Sequence, residues 1–432
     1  MSSSPILPDL ISSEGRQSGH IPADTLVPSI LAALIAVPSG VSASISLGGI
    51  LTLILAPVTF PALWHDTRGR WLLAAIIALV PTGWLVAQTS LLHDRGRTFN
   101  IKVFLYEAAL PVGLLASVIG AYWCITQLGL RRFLLSFFAG LLAAAPFFYY
   151  TLHENPWKYA LALPVSMLVI LLFARNRLLL GLVVTPLLAA VSIVTDFRAW
   201  LAFLAIATML TVFARTRATR PSVSKVASVG LFTVAASMIV GWLITQAATT
   251  GMLGAYLEQR TKEQLEGAGG NLLLGGRPEW GAAIALWREN PLGIGIGVTP
   301  SSSDYWLSIL SMPLNSRGLQ EISDVAKSFQ QGLVNFHSTF WTFWGFYGAA
   351  GVLFAVLALF YVAHATMATT AAVRSVSLRA SVLLLMFSCI WDILFSPTIV
   401  PQLAVSLATA LHILRRAKRR TDPIERSQLS GR

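Results

Sequence analysis

Long apolar runs recur along this chain, each bounded by a short polar or basic patch. Runs of about 17–25 residues are long enough to cross a bilayer as helices. They predict twelve spans, at 26–41, 43–63, 71–90, 103–127, 132–151, 157–173, 178–195, 199–214, 226–249, 338–366, 380–396 and 398–414. Pro38-Ser39-Gly40 leaves open a re-entrant pair in place of the first two, and only Ser396-Pro397 divides the last two. One segment, 250–337, is too polar to span and too long to be a mere connection. The expected organisation is a disordered cytoplasmic tail (1–25), a polytopic membrane domain (26–414) carrying loop 250–337 on its outer side, and a basic cytoplasmic tail (415–432). No basic region followed by an apolar stretch at the N-terminus suggests a removable signal peptide.

Composition agrees with that pattern. The 432 residues are 55% hydrophobic and 12% charged, and the mean hydropathy is +0.68. Soluble domains are about a quarter charged. The net charge of +12 and pI near 10.2 would suggest nucleic acid in a soluble chain. Here the positions of the cations argue otherwise. With the N-terminus inside, roughly two thirds of the Lys and Arg but only about a third of the acids fall on cytoplasmic segments, as the positive-inside rule requires. Clusters at 175–177, 215–220 and 415–420 carry most of that weight, so anionic lipid accounts for the basic excess and no nucleic acid is needed. Cys124 and Cys389 lie in apolar runs without metal or CxxC spacing and read as small buried hydrophobes.

The outer loop has its own elements. Leu253, Leu257 and Leu265 predict a helix that ends in glycines. Pro278 suits the first turn of a second helix, on which Trp280, Ile284 and Trp287 share a face, and Asn290-Pro291 ends it. Gly-Ile-Gly-Ile-Gly (293–297) resembles a phosphate loop but is followed by what reads as turn and loop. Its glycines read better as places where backbone approaches backbone, or a substrate, closely. Residues 316–337 predict an amphipathic helix.

Several ionisable groups invite a functional reading. Arg277 precedes a helix N-terminus, a favourable place for an anion. Asp196 and Arg198 occupy a tight outer turn, where Arg198 is either a snorkelling anchor or part of a site. Glu107 and Asp392 lie within predicted spans, where a charge is a functional hypothesis by default. His337 stands at the lip of a span, above Trp341, Trp344 and Tyr347. It reads either as an interfacial side chain or as a base facing a polar site. Two arginines and a histidine on one face make the composition of a site for a diphosphate and a hydroxyl.

Three pieces in order carry a resemblance: Asp196-Phe197-Arg198-Ala199-Trp200, the stretch from Gly276 through Arg277 and Trp280 to Gly297, and His337 opening a span that continues Gly-Phe-Tyr-Gly-Ala-Ala-Gly. From about 190 to 365 the chain resembles the O-antigen ligase and O-antigen polymerase superfamily of bacterial membrane glycosyltransferases. The resemblance implies an all-α, GT-C-like membrane fold in the cytoplasmic membrane, with both termini cytoplasmic and the site on the outer, periplasmic side. It implies an undecaprenyl-diphosphate-linked glycan donor, an acceptor glycan or glycolipid, and inverting transfer to an acceptor hydroxyl without metal, nucleotide sugar or other cofactor. Envelope-biosynthesis partners would accompany it. Arg198 and Arg277 would bind the donor diphosphate and His337 would deprotonate the acceptor. Asp196, Ser338, Trp280, Glu107 and Asp392 would support the site. The chain departs from the family in Phe197 before the first arginine, where serine is common, and in Ser338 after the histidine, where asparagine is common. Ligase and polymerase activities both fit. Twelve spans with buried acids also suit a transporter or flippase of a lipid-linked glycan, although no internal repeat is visible.

Overall fold

A computed structural model describes residues 23–42, 44–148, 155–195, 197–213, 242–243, 245–252, 254–267, 277, 279–312 and 336–421. The N-terminal tail up to residue 22, most of the predicted span at 226–249, the predicted amphipathic helix up to 335, Asp196 and the end of the basic tail lie outside them. The described chain is built of helices: α1 (Ala23–Leu34), α2 (Leu47–Ile54), α3 (Ala56–Trp64), α4 (Thr67–His93) and α5 (Ile101–Leu128). Then come α6 (Leu130–Phe147), α7 (Trp157–Phe173), α8 (Arg177–Val194), α9 (Arg198–Phe213), α10 (Ala255–Gly267), α11 (Glu279–Glu289) and α12 (Ser302–Leu310). The last three are α13 (Thr339–Ala372), α14 (Val376–Phe395) and α15 (Val400–Thr421). Two short antiparallel ribbons interrupt them. One pairs β1 (Pro38–Ser42) with β2 (Ile45–Ser46), and the other pairs β3 (Thr98–Phe99) with β4 (Val298–Thr299).

Six described helices, α4, α5, α6, α8, α13 and α14, are long and apolar enough to cross a membrane, or up to seven crossings if the bent pair α2–α3 is one span. This fits a multi-pass membrane protein, but it is not the predicted twelve. The difference has local causes. The first predicted span stops as a helix at Leu34 and turns into the β1–β2 ribbon. The second bends by 91° between α2 and α3. There Pro57 sits in the first turn of α3 and Pro61 lies within it. The α1, α7 and α9 helices are apolar but short, and α15 carries its arginines within its last turns.

Polar side chains start the long helices. Asp66, Asn100, Ser338 and Ser375 each accept a backbone N–H at the N-terminus of α4, α5, α13 and α14, satisfying donors that would otherwise lack partners. Gly129, at φ +74°, makes the turn from α5 to α6. The α5 helix is the most enclosed of the long helices and α8 the least. Cys124 and Cys389 are free and buried.

The glycine-rich segment threads between helices. Ile294 and Gly295 donate their N–H groups to Gly345 O at 2.8 and 2.9 Å, and Ile296 donates to Gly83 O at 3.3 Å. A Cβ at Gly295 would overlap the Ala87 backbone. Gly348, at φ +59° and ψ −137°, breaks the regular path of α13 where Leu292 O lies against it. Backbone-to-backbone approach is therefore the use of this motif. The following residues are not plain loop. After β4, Ser301 and Asp304 form a capping box for α12, a signature readable as Ser-x-x-Asp.

Candidate functional site

The site assembles at the C-terminal end of α14, where α11 and the start of α13 meet it. Ser338 donates to Ile393 O at 3.3 Å and Thr339 to Asp392 O at 3.2 Å. Arg277 Nε donates to Phe395 O at 2.6 Å. These bonds bring Arg277 and His337 to the same end of one helix. Trp280 stacks on Phe395 with ring centroids 5.0 Å apart and 5° between planes, and meets Trp341 edge-on at 6.3 Å. The aromatic residues below His337 are thus both the packing of the span and one wall of the site.

His337 is the one non-glycine residue with positive φ among the described residues, at +45°. Backbone held there costs on the order of 1–3 kcal/mol and persists where surroundings over-determine it. Here Phe336 and Ser338 are buried on either side, while the imidazole is 44% exposed. Its Nδ1 lies 2.9 Å from Glu279 Oε1. Burial pushes the Glu279 carboxyl up, but the bond to His337, the charge of His337 and the charge of Arg277 outweigh it, holding the group below the usual carboxylate range. Glu279 Oε2, Trp280 Nε1 and Thr342 Oγ1 are buried without a hydrogen-bond partner among the described residues. Such atoms are uncommon and costly, about 1–3 kcal/mol each.

The other predicted residues divide. Arg277, His337, Ser338 and Trp280 come together, and Asp392 lies close enough to feel the charge of Arg277 while accepting from Ser388 Oγ at 3.4 Å. Arg198 opens α9 and donates from Nη1 to Thr261 of α10 at 2.8 Å. A relay of rings connects its helix to the cluster: Phe203 contacts Trp391 at 5.6 Å, and Trp391 contacts Phe395 at 4.6 Å. Glu107 serves elsewhere. Its Oε2 accepts the Gly297 N–H at 2.6 Å, and its carbonyl accepts from Tyr347 at 2.8 Å. Tyr347 stands roughly 15 Å along α13 from His337 at the helical rise. Glu107 thus anchors the glycine-rich segment. Asp196 lies outside the described residues.

Two groups emerge that the sequence did not single out. Glu279 follows Pro278 in the first turn of α11 and passes there for an ordinary dipole-facing acid. Its signal was the neighbourhood of Arg277 and Trp280. The second is Arg97, whose guanidinium meets the Asp304 carboxylate through Nε at 2.8 Å and Nη2 at 2.7 Å, with Nη1 on Ser90 Oγ at 2.8 Å. This pair fixes α12 to the turn between α4 and α5.

No protein-family model matches the chain, and no curated protein matches its sequence. Among the described residues, no three His, Cys, Asp or Glu side chains gather as metal ligands would.

Proposed function

We propose that the protein is an outer-face membrane glycosyltransferase that moves a glycan from an undecaprenyl-diphosphate donor to an acceptor hydroxyl, as an O-antigen ligase or polymerase does. The observation that carries this reading is the His337–Glu279 approach at 2.9 Å beside Arg277. A carboxylate on Nδ1 favours the tautomer with the proton there, leaving the Nε2 lone pair to accept one. The acceptor oxygen attacks the anomeric carbon as its proton passes to His337 Nε2. The bond from that carbon to the diphosphate oxygen breaks, and the electron pair leaves with the diphosphate. Arg277 and Arg198 offset the charge that grows on this leaving group. Glu279 Oε2, Trp280 Nε1 and Thr342 Oγ1, without partners among the described residues, suit contacts that a sugar would complete. The resemblance of the three sequence pieces points to the same chemistry and to the periplasmic side of the bacterial inner membrane.

The test is reconstitution in proteoliposomes with an undecaprenyl-diphosphate glycan and candidate acceptors. Transfer is expected with wild-type protein and loss of at least a hundredfold with His337→Ala at unchanged expression, in the range for removing a general base. Full transfer by His337→Ala would refute the base role. Donor movement across the bilayer without glycosidic bond formation would assign the protein to transport instead.

A further inference from the structure

A second concentration of charge lies at the other end of the helices. The first turn of α4 and the last turns of α15 line a cavity of about 520 Å³, with His65, Arg68, Arg415, Lys418 and Arg419 at its wall. Asp66, the one carboxylate on its wall among the described residues, is already engaged. Asp66 Oδ1 accepts the N–H groups of Arg68 and Gly69, and Oδ2 accepts from Tyr122. The same Tyr122 hydroxyl accepts from Arg415 Nη1 at 3.2 Å. Neither Arg68 nor Arg419 forms an ion pair among the described residues. Among the described residues, the guanidinium groups of Arg68, Arg415 and Arg419 face one committed acid there, which favours an anion, and guanidinium groups favour phosphate oxygens.

The surroundings specify where that phosphate comes from. The adjoining α2–α3 segment exposes Ile54, Val58 and Trp64, and Trp71 is exposed one turn into α4. Exposed indoles beside a basic patch mark the membrane–water boundary, and the outward apolar side chains offer a path for acyl chains. We propose that this basic pocket binds the phosphate of an anionic phospholipid head group, with the lipid tails lying along the outward side of α2 and α3. The site is independent of the transfer chemistry proposed above.

The experiment uses the full chain in a neutral detergent. Native mass spectrometry and thermal melting follow titration with short-chain phosphatidylglycerol, short-chain phosphatidylcholine and inorganic phosphate. Phosphatidylglycerol is expected to bind and raise the melting temperature. Phosphatidylcholine should bind at least tenfold more weakly, and inorganic phosphate should compete only at far higher concentration. Arg68→Gln with Arg419→Gln should weaken phosphatidylglycerol about tenfold, whereas Arg95→Gln, at the opposite end of α4, should leave it unchanged. A photoactivatable phosphatidylglycerol on wild-type protein should label peptides holding 54–71 or 415–419, which keeps the test intact if the double variant misfolds. Equal binding of the two lipids, an unaffected double variant or labelling elsewhere would overturn the site. Inorganic phosphate binding as tightly as the lipid would overturn the lipid assignment.

Discussion

Asp304→Asn should destabilise the protein through a contact far from the proposed chemistry. The Arg97 and Asp304 side chains are 2% and 5% exposed, and two bonds of 2.7 and 2.8 Å join them across 207 residues of sequence. Asp304 also accepts from the Ser301 N–H at 3.0 Å and the Ser301 hydroxyl at 3.1 Å. The amide keeps the shape and one acceptor oxygen, but it leaves a buried guanidinium with Ser90 and a distant Asp94 carboxylate at 3.8 Å. Removing one partner of a buried pair costs about 3–5 kcal/mol. The retained oxygen and Asp94 place this case near the lower end, about 3 kcal/mol. At roughly 2 °C per kcal/mol for a chain of this size or larger, melting should fall by about 6 °C. Tryptophan fluorescence during heating in detergent measures it. Replacing both partners, as Arg97→Met with Asp304→Asn, should recover most of the loss, because the buried guanidinium is then gone while position 304 still offers an acceptor to Ser301. A melting change within about 1 °C for Asp304→Asn, or losses that simply add in the double variant, would refute the pairing argument.

Glu279→Gln should lower kcat about 10- to 30-fold with little change in donor KM, since the substitution removes charge beside His337 but keeps an acceptor there; the figure converts a charge-assisted bond of about 1.5–2 kcal/mol. Steady-state kinetics read the split, and a kcat within about twofold of wild type would remove Glu279 from the proton path. The same carboxyl has a folded-state affinity for protons below its ordinary one. Its contribution to stability is therefore complete above the ordinary carboxylate range and lost as pH falls from about 4.5 through its depressed value. Melting of Glu279→Gln should lose less than wild type over that acid window, and parallel pH profiles would contradict it. Gly295→Ala places a methyl into the Ala87 backbone at φ +92°. It should cost at least about 2 kcal/mol from strain and overlap together, and unchanged melting would show that the segment does not pack as described.

How much was legible follows from what each signal measures. Apolar run length reports solvent preference, so the all-helical membrane class was readable. It does not report how a run crosses: a span at 43–63 and a re-entrant pair with its neighbour both stayed open, and the run bends by 91° between α2 and α3, where Pro57 and Pro61 lie. The α11 helix was readable at both ends because Pro278 and Asn290-Pro291 act locally. The glycine motif was read correctly as close approach because glycine at positive φ has few other uses. Glu107 within a span looked like a functional charge, yet its partner is a backbone N–H of that same glycine segment. Arg97 with Asp304, and Arg277 with Phe395, are joined across 207 and 118 residues. No local pattern announces such pairings, so they appear only once the helices are packed.

Glu107 and Glu279 separate two uses of a buried acid. Glu107 spends one oxygen on Gly297 N and lies in the path of a segment that already touches Gly83, Ala87 and Gly345. Its loss would loosen packing around three helices. Glu279 faces a half-exposed imidazole and retains an oxygen without a partner among the described residues. An acid tied to a backbone N–H within the packing holds structure, whereas one beside an exposed histidine and an arginine can still bind. Glu107→Gln should therefore lower melting with kcat changing little in the fraction that folds, whereas Glu279→Gln should lower kcat in the fraction that folds as well as losing the stability its charge supplies. Measuring both variants in the same preparation separates a defect of packing from one of chemistry. If both lowered melting alike and left kcat per folded molecule intact, the place of Glu279 beside His337 would carry no functional meaning.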